Sequence, residues 1–179
     1  MRFILFVLLS SIGLPVNAQS AGFGNKATIY LVRHAEKLTG KDPLLTEQGN
    51  KRAGDLMRTL KGKNIQHLFV TEYRRTQNTG DSLRIQLGID TIHYLSDTSC
   101  ADLFQKIKKS NSMNNCILII GHSNTIPLII RKLGVVGFPA GDIPDNEFDN
   151  LFLVTFKKGK PSLKKTKYGK PSEASATMH

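Results

Sequence analysis

The sequence predicts an α/β protein, a three-layer α/β/α sandwich around a mostly parallel central sheet. Three observations predict it. Short runs rich in β-branched residues alternate with amphipathic segments of about 10–15 residues, the pattern of βαβ crossovers. The run "CILII" at residues 116–120 has no polar alternation, as expected of a strand covered on both faces. A length of 179 residues with 40% hydrophobic and 22% charged residues suits one globular domain with a sizeable core and excludes a disordered or fibrous chain.

Residues 1–18, "MRFILFVLLSSIGLPVNA", have one cation, a short apolar stretch and small residues before Ala18, the layout of a cleaved signal peptide. The stretch is too short for a permanent membrane span. Cleavage after Ala18 and an exported domain, periplasmic or secreted, over residues 19–170 are therefore expected. No Cys follows the cut to suggest a lipid anchor.

The elements then follow in order. Residues 27–32 form a strand. Residues 46–60 form a helix opened by Thr46 as N-cap, with Ala53, Leu56, Met57 and Leu60 on one face. A second strand covers 65–70, and a second helix covers 75–87 and closes at Gly88. A short strand at 91–95 precedes a helix at 100–109 with Leu103 and Ile107 inward. The buried strand at 116–120 leads to a helix at 124–133, with Pro127 tolerated in its first turn and Gly134 closing it. A last core strand at 151–156 is followed by a Lys-rich hairpin, and residues 171–179 form a flexible tail. Cys100 and Cys116 fall at opposite ends of an αβ unit about 16 Å long, whereas a disulfide needs Cα atoms about 4.4–6.8 Å apart. They are expected to be unbonded, although an exported protein meets oxidising conditions.

Residues 157–170 contain seven Lys and no acid; without them the net charge falls from +11 to +4. A Lys-studded edge that resists strand-to-strand aggregation explains this better than a polyanion site. Weak contact with an anionic surface is the partner it would otherwise imply. No interleaved aromatics suggest nucleic acid.

Open α/β sheets bind ligands beyond the carboxyl ends of their strands. Three of these ends carry chemistry. The first delivers Arg33 and His34, the second Thr71, Arg74 and Arg75, and the buried strand delivers Gly121, His122, Ser123 and Asn124 ahead of a helix. Guanidinium forks match phosphate oxygens. A helix N-terminus favours an anion. A neutral imidazole with one nitrogen held as donor can attack phosphorus with the other. The positive charges are protein-borne, so neither metal nor other cofactor is called for. A metal site from His34, Glu36 and His122 would leave the arginines unexplained. His67 and His93 alternate within strands and read as packed or surface residues.

The motifs "LVRHAEK", "DPLLTEQG", "TEYRRTQNT" and "GHSNT", in this order and spacing, resemble those of the histidine phosphatase superfamily, also called phosphoglycerate mutase-like, across residues 27–156. The resemblance implies that His34 is the nucleophile that becomes phosphohistidine and that Arg33 and Arg75 bind the phosphate. It makes His122 the second histidine that stabilises the transferring group. Ser123 and Asn124 would donate to substrate, and "LTEQG" would be structural. The implied activity is that of a histidine acid phosphatase-type phosphomonoesterase, acting on a small phosphorylated substrate or on phosphohistidine. The alternatives are a phosphoglycerate mutase-like isomerase and a non-catalytic phosphate- or polyanion-binding module.

Two departures from the family pattern matter. Ala35-Glu36 follows the Arg-His pair where Gly is frequent. No Glu lies between Arg75 and His122, where many members carry a general acid. Asp97, in the loop after the third strand, and Glu147, in the acidic stretch before the last strand, are the candidate acids. Weak acid assistance favours good leaving groups and disfavours mutase chemistry. His34 is expected on an exposed rim, where it contributes little packing.

Overall fold

The computed structural model describes residues 22–172. The expected signal peptide and residues 173–179 of the expected tail lie outside the described residues. In chain order the elements are β1 (Thr28–Arg33), α1 (Glu47–Leu60), β2 (His67–Thr71), α2 (Arg74–Leu87), β3 (Thr91–Tyr94), α3 (Ala101–Lys109), β4 (Cys116–Gly121), α4 (Thr125–Lys132), β5 (Asn150–Lys157) and β6 (Lys160–Lys167). A single 3₁₀ turn, Ser112–Asn114, precedes β4.

The sheet order is β3-β2-β4-β1-β5-β6. Its first four strands are mutually parallel, while β5 runs against β1 and β6 against β5. Alternation within β1 shows how the layers form. Ile29 and Leu31 pack with Leu103 and Ile107 of α3 and Ile126, Ile129 and Ile130 of α4. Tyr30 and Val32 point the other way, toward Leu56 and Leu60 of α1 and Leu83 of α2. β4 lies at the centre, and its residues 117–120 are fully buried on both faces, as its unbroken apolar run requires.

The predicted caps form. Thr46 Oγ1 accepts from the Gly49 amide at 3.0 Å, and Gly88 adopts a left-handed φ of 64°. Cys100 and Cys116 are free thiols. Lys158 and Gly159 (φ 51° and 71°) supply the two left-handed residues of a two-residue hairpin turn. The Lys-rich β6 is the outer strand beyond β5, where charge discourages further pairing. The tail expectation changes at its start. Ser172 is buried, accepting from the Phe148 amide at 2.9 Å and donating its own amide to Asp149 at 3.1 Å.

β5 begins at the carboxyl end of β1, since Leu31 pairs with Phe152 and Thr28 with Thr155. The segment joining α4 to β5 must therefore return to the rim that carries the first two motifs. Beside that rim, Arg52 of α1 is only 2% exposed. It makes three bonds of 2.6–2.9 Å to the Glu36 carboxylate and two to the carbonyls of Tyr168 and Lys170. A Cβ on Gly49 would lie 2.1 Å from the Glu36 carbonyl, so only glycine lets α1 start this close to the loop.

Breaking a buried ion pair leaves an uncompensated charge. Glu36→Gln should cost about 3 kcal/mol, read as a lower urea midpoint at unchanged m-value. A shift below about 1 kcal/mol would mean that the carbonyls alone satisfy Arg52.

Candidate active site

The β1–β4 register brings the two motif histidines together. Arg33 is level with Gly121, and the pairing continues one step further as the His34 amide donates to the Gly121 carbonyl at 2.9 Å. The imidazole centroids are 5.4 Å apart, at 63°.

Chemistry fixes both tautomers. His34 Nδ1 lies 2.8 Å from the Ala35 carbonyl, which can only accept, so Nδ1 carries the proton and Nε2 keeps its lone pair. His122 is oriented the opposite way. Arg75 Nη2, which can only donate, lies 3.3 Å from His122 Nδ1. The proton is therefore on Nε2, donated to Thr71 Oγ1 at 3.1 Å. The Thr71 hydroxyl donates in turn to Thr76 Oγ1 at 2.9 Å, and the Thr76 hydroxyl to the Tyr73 carbonyl at 2.8 Å. The Tyr73 and Thr71 amides fill the remaining acceptor positions of these two hydroxyls.

The expectation of an exposed rim position for His34 is corrected, because it is 3% exposed, and His122 beside it is 6% exposed. The Ala35 amide is pinned by Thr79 Oγ1 at 2.9 Å, and Tyr73 meets the His122 ring edge-on. Both imidazoles are held down to about 3. Burial is the main cause for each, followed by the neighbouring cations for His34 and by His34, Arg75 and Arg33 for His122. At neutral pH the site thus holds two neutral imidazoles between two guanidinium groups.

Arg33 and Arg75 flank the pair. Arg33 Nη1 donates to the carbonyls of Pro144 (2.8 Å), Asp145 (3.1 Å) and Glu147 (3.4 Å), while Nη2 meets Asp145 Oδ1 at 3.3 Å. Its guanidinium carbon sits 4.3 Å from the Phe148 ring centroid. Burial draws the Arg33 pKa down and Asp145 opposes that. Arg75 stacks on Tyr73 at 4.1 Å, with Asp42 Oδ1 3.9 Å from Nη1. The Nε groups of both arginines are buried and have no hydrogen-bond partner.

Ser123 lies between His122 and α4, and its carbonyl accepts from the Ile143 amide at 3.0 Å. Asn124 is exposed and makes no capping bond with its side chain, which leaves the carboxamide to face solvent at the helix start. The two candidate acids are engaged by other side chains. Asp97 accepts from the Ser99 hydroxyl beside the start of α3. The Glu147 carboxylate accepts from Asn150 Nδ2 at 2.7 Å and lies 3.8 Å from Lys167. Only its carbonyl touches the clamp.

Sequence reasoning missed Tyr73, Phe148 and Asp42, and it placed Asp145 only within the acidic stretch 143–150, read equally as a loop reaching the rim or as a solvated turn. Tyr73 stands two residues before Arg75 inside a quoted motif, and Phe148 inside the acidic stretch, so an aromatic beside each clamp arginine was the available signal. Among the described residues, no group of three His, Cys, Asp or Glu side chains is placed to hold a metal ion.

Residues 29–97 match the model of the histidine phosphatase superfamily (branch 1). That stretch contains Arg33, His34 and Arg75, with His122 beyond it. The match supports the superfamily that the motifs resemble. Among solved structures, the protein histidine phosphatase SixA complexed with tungstate is 17% identical, over 78% of this chain and 96% of that one, with a TM-score of 0.57. A phosphoserine phosphatase variant from Entamoeba histolytica in complex with phosphoserine is 16% identical, over 79% and 96%, with a TM-score of 0.56. The α-ribazole phosphatase from Shigella flexneri is 14% identical, over 76% and 94%, with a TM-score of 0.58. The chain therefore has the fold of histidine phosphatase-type structures. Among curated proteins, none matches the sequence.

Nitrogen-15 spectra should show His34 as the Nδ1–H and His122 as the Nε2–H tautomer. Thr71→Val should mix the tautomers of His122 alone, and Thr71→Ser should restore them. An unfolded histidine binds its proton near 6.5, well above the folded value of about 3. The unfolded state thus holds more protons in this window, and stability falls as pH drops from about 6.5 toward 3. The double variant His34→Asn/His122→Asn should lose less stability over that window than the parent, by denaturant titration at each pH. Equal losses would place the acid sensitivity elsewhere.

Proposed function

We propose that this protein is a phosphomonoesterase of the histidine phosphatase superfamily that works through a covalent phosphohistidine and needs no metal. The observation that carries this reading is the state of His34. It is neutral, its Nδ1 proton is held by the Ala35 carbonyl, and Nε2 is left as a lone pair beside two guanidinium groups.

The steps follow from these groups. The His34 Nε2 lone pair forms a bond to phosphorus while the ester P–O bond breaks, and the leaving oxygen departs with that electron pair. Arg33, Arg75 and His122 hold the equatorial oxygens, whose charge is what such a transition state needs stabilised. Water then attacks phosphorus, the P–N bond breaks and its electrons return to Nε2. Inorganic phosphate leaves, and the proton shed by the water balances the one taken up by the leaving alkoxide. Ser123 and Asn124 would donate to substrate from the start of α4, whose dipole also favours an anion. The carboxylates of Asp97 and Glu147 are engaged by Ser99 and by Asn150 and Lys167, which favours carriers whose leaving group needs little acid help. The leader-like residues 1–18 support an exported location.

The test is hydrolysis of an aryl phosphate in EDTA, a substrate that needs little help from an acid. Turnover should persist in EDTA and fall by about three orders of magnitude or more in His34→Asn. Arg75→Ala should lower kcat/KM about 100-fold or more for every ester tried. Rapid quench should trap a phosphoenzyme labile to acid and stable to base, as a phosphoramidate is. Turnover retained in His34→Asn would overturn the nucleophile assignment. Tight inorganic phosphate binding without turnover would leave a non-catalytic binding module.

A further inference from the structure

We propose that Asp42 and Asp145 form a charge filter at the mouth of the site. It admits phosphoryl groups on cationic or uncharged carriers and rejects carriers with an anionic leaving part. This inference rests on the phosphatase reading above and adds to it the class of substrate.

Each clamp arginine carries one carboxylate, and the two arrive from different loops. Asp42, between β1 and α1, lies 3.9 Å from Arg75 Nη1, and its Oδ1 is tied down by the Arg74 amide at 3.0 Å. Asp145, between α4 and β5, sits on Arg33 Nη2 at 3.3 Å while its own carbonyl holds Nη1. Its side chain is 98% exposed, against 7% for the Arg33 side chain that it touches. It therefore lies on the solvent side of the guanidinium. The unpartnered, buried Nε groups of Arg33 and Arg75 remain as donors for the phosphoryl oxygens. The carrier attached to that group must extend outward, past the two carboxylates.

Charge counting sharpens this. The imidazoles are neutral, so the clamp contributes two positive charges, and Asp42 and Asp145 cancel both. A dianionic phosphoryl group entering this setting leaves net negative charge at the mouth. An ammonium on the carrier offsets it, and a carboxylate or second phosphate adds to it. Like charges forced together at a recognition site act mainly as a device against the wrong partner. Lys37, exposed on the same loop as Asp42, acts at longer range. Among the cations acting on His34 it ranks after Arg33 and Arg75.

The test compares three esters of a primary alcohol that differ in carrier charge: O-phosphoethanolamine, glycerol 3-phosphate and 3-phosphoglycerate. The parent enzyme should show kcat/KM falling in that order, with at least a tenfold span between the first and last. In Asp42→Asn/Asp145→Asn the span should shrink below threefold. In the parent it should shrink likewise at 0.5 M salt, because screening weakens exposed charges. A parent span under tenfold, or one the double variant retains, overturns the filter. The ratio of dissociation constants for the first and last esters, measured calorimetrically on His34→Asn with and without the two aspartate changes, tests the filter without turnover and should move in the same way. Absent aryl phosphate hydrolysis would then sink the phosphatase reading, while the binding ratio still decides the filter.

Discussion

The site depends on one constraint, the parallel pairing of β1 with β4. Six consecutive pairs lock the strands from Thr28 with Cys116 to Arg33 with Gly121, and the His34 amide adds a bond to the Gly121 carbonyl. A slip of one residue would reverse every side chain of β1 between the two layers. Ile29 and Leu31 could not then reach α3 and α4, nor Tyr30 and Val32 reach α1 and α2. Apolar burial on both faces thus fixes the register, and the register fixes the separation of the imidazoles. Gly121 is part of the same constraint. A Cβ there would lie 3.0–3.1 Å from Ile126, Thr125 and the Tyr94 hydroxyl, a hydroxyl that donates to the Ile120 carbonyl.

Holding that register leaves an electrostatic problem, since two arginines and two histidines converge where the sheet is already dry. The histidines resolve it by giving up charge, and each neutral ring still fills a defined hydrogen-bonding role. The arginines cannot do so. Arg33 is caged by three carbonyls and Phe148, and Arg75 lies between Tyr73, His122 and Asp42. Carbonyls and ring faces stabilise a guanidinium without neutralising it, and the opposing charge sits on the carboxylates of Asp42 and Asp145. The antiparallel course of β5 is what makes this cage possible. It returns the chain to the carboxyl rim of β1, and residues 144–148 land on Arg33 as a result.

What was legible in the sequence follows the range of the interactions involved. Thr46, Gly88 and the 3.6-residue periodicity of residues 46–60 encode structure through neighbours a few positions away. Those elements therefore formed within a residue or two of expectation. The motif residues Arg33, His34, Arg75 and His122 were legible because each follows a strand, and strand ends in such a sheet share one rim. Asp42, Asp145 and Phe148 were not, because their roles depend on partners 33 to 115 residues away in chain positions that no local pattern reports. The direction of β5 was hidden for the same reason, as an apolar run reads alike in either orientation. The surroundings of Asp97 and Glu147 were not legible, because an acid in a loop advertises only its type. Ser99 claims the first, and Asn150 and Lys167 the second. The burial of His34 was missed because a residue at a strand end is exposed only if nothing covers it, and here Phe148 and Ala35 do.

Main-chain groups also hold both imidazole tautomers. A metal would fix imidazole tautomers through coordination. Here a main-chain carbonyl does so for His34, and a relay of two threonine hydroxyls ending on the Tyr73 carbonyl does so for His122. Each relay member has its acceptor and donor roles assigned by groups that cannot exchange them, the amides of Thr71 and Tyr73 at one end and a carbonyl at the other. Proton positions at the site are consequently set by the backbone of the β2–α2 turn and of the residue after His34. Secondary structure built from local sequence thus reaches directly to the protons of the two imidazoles.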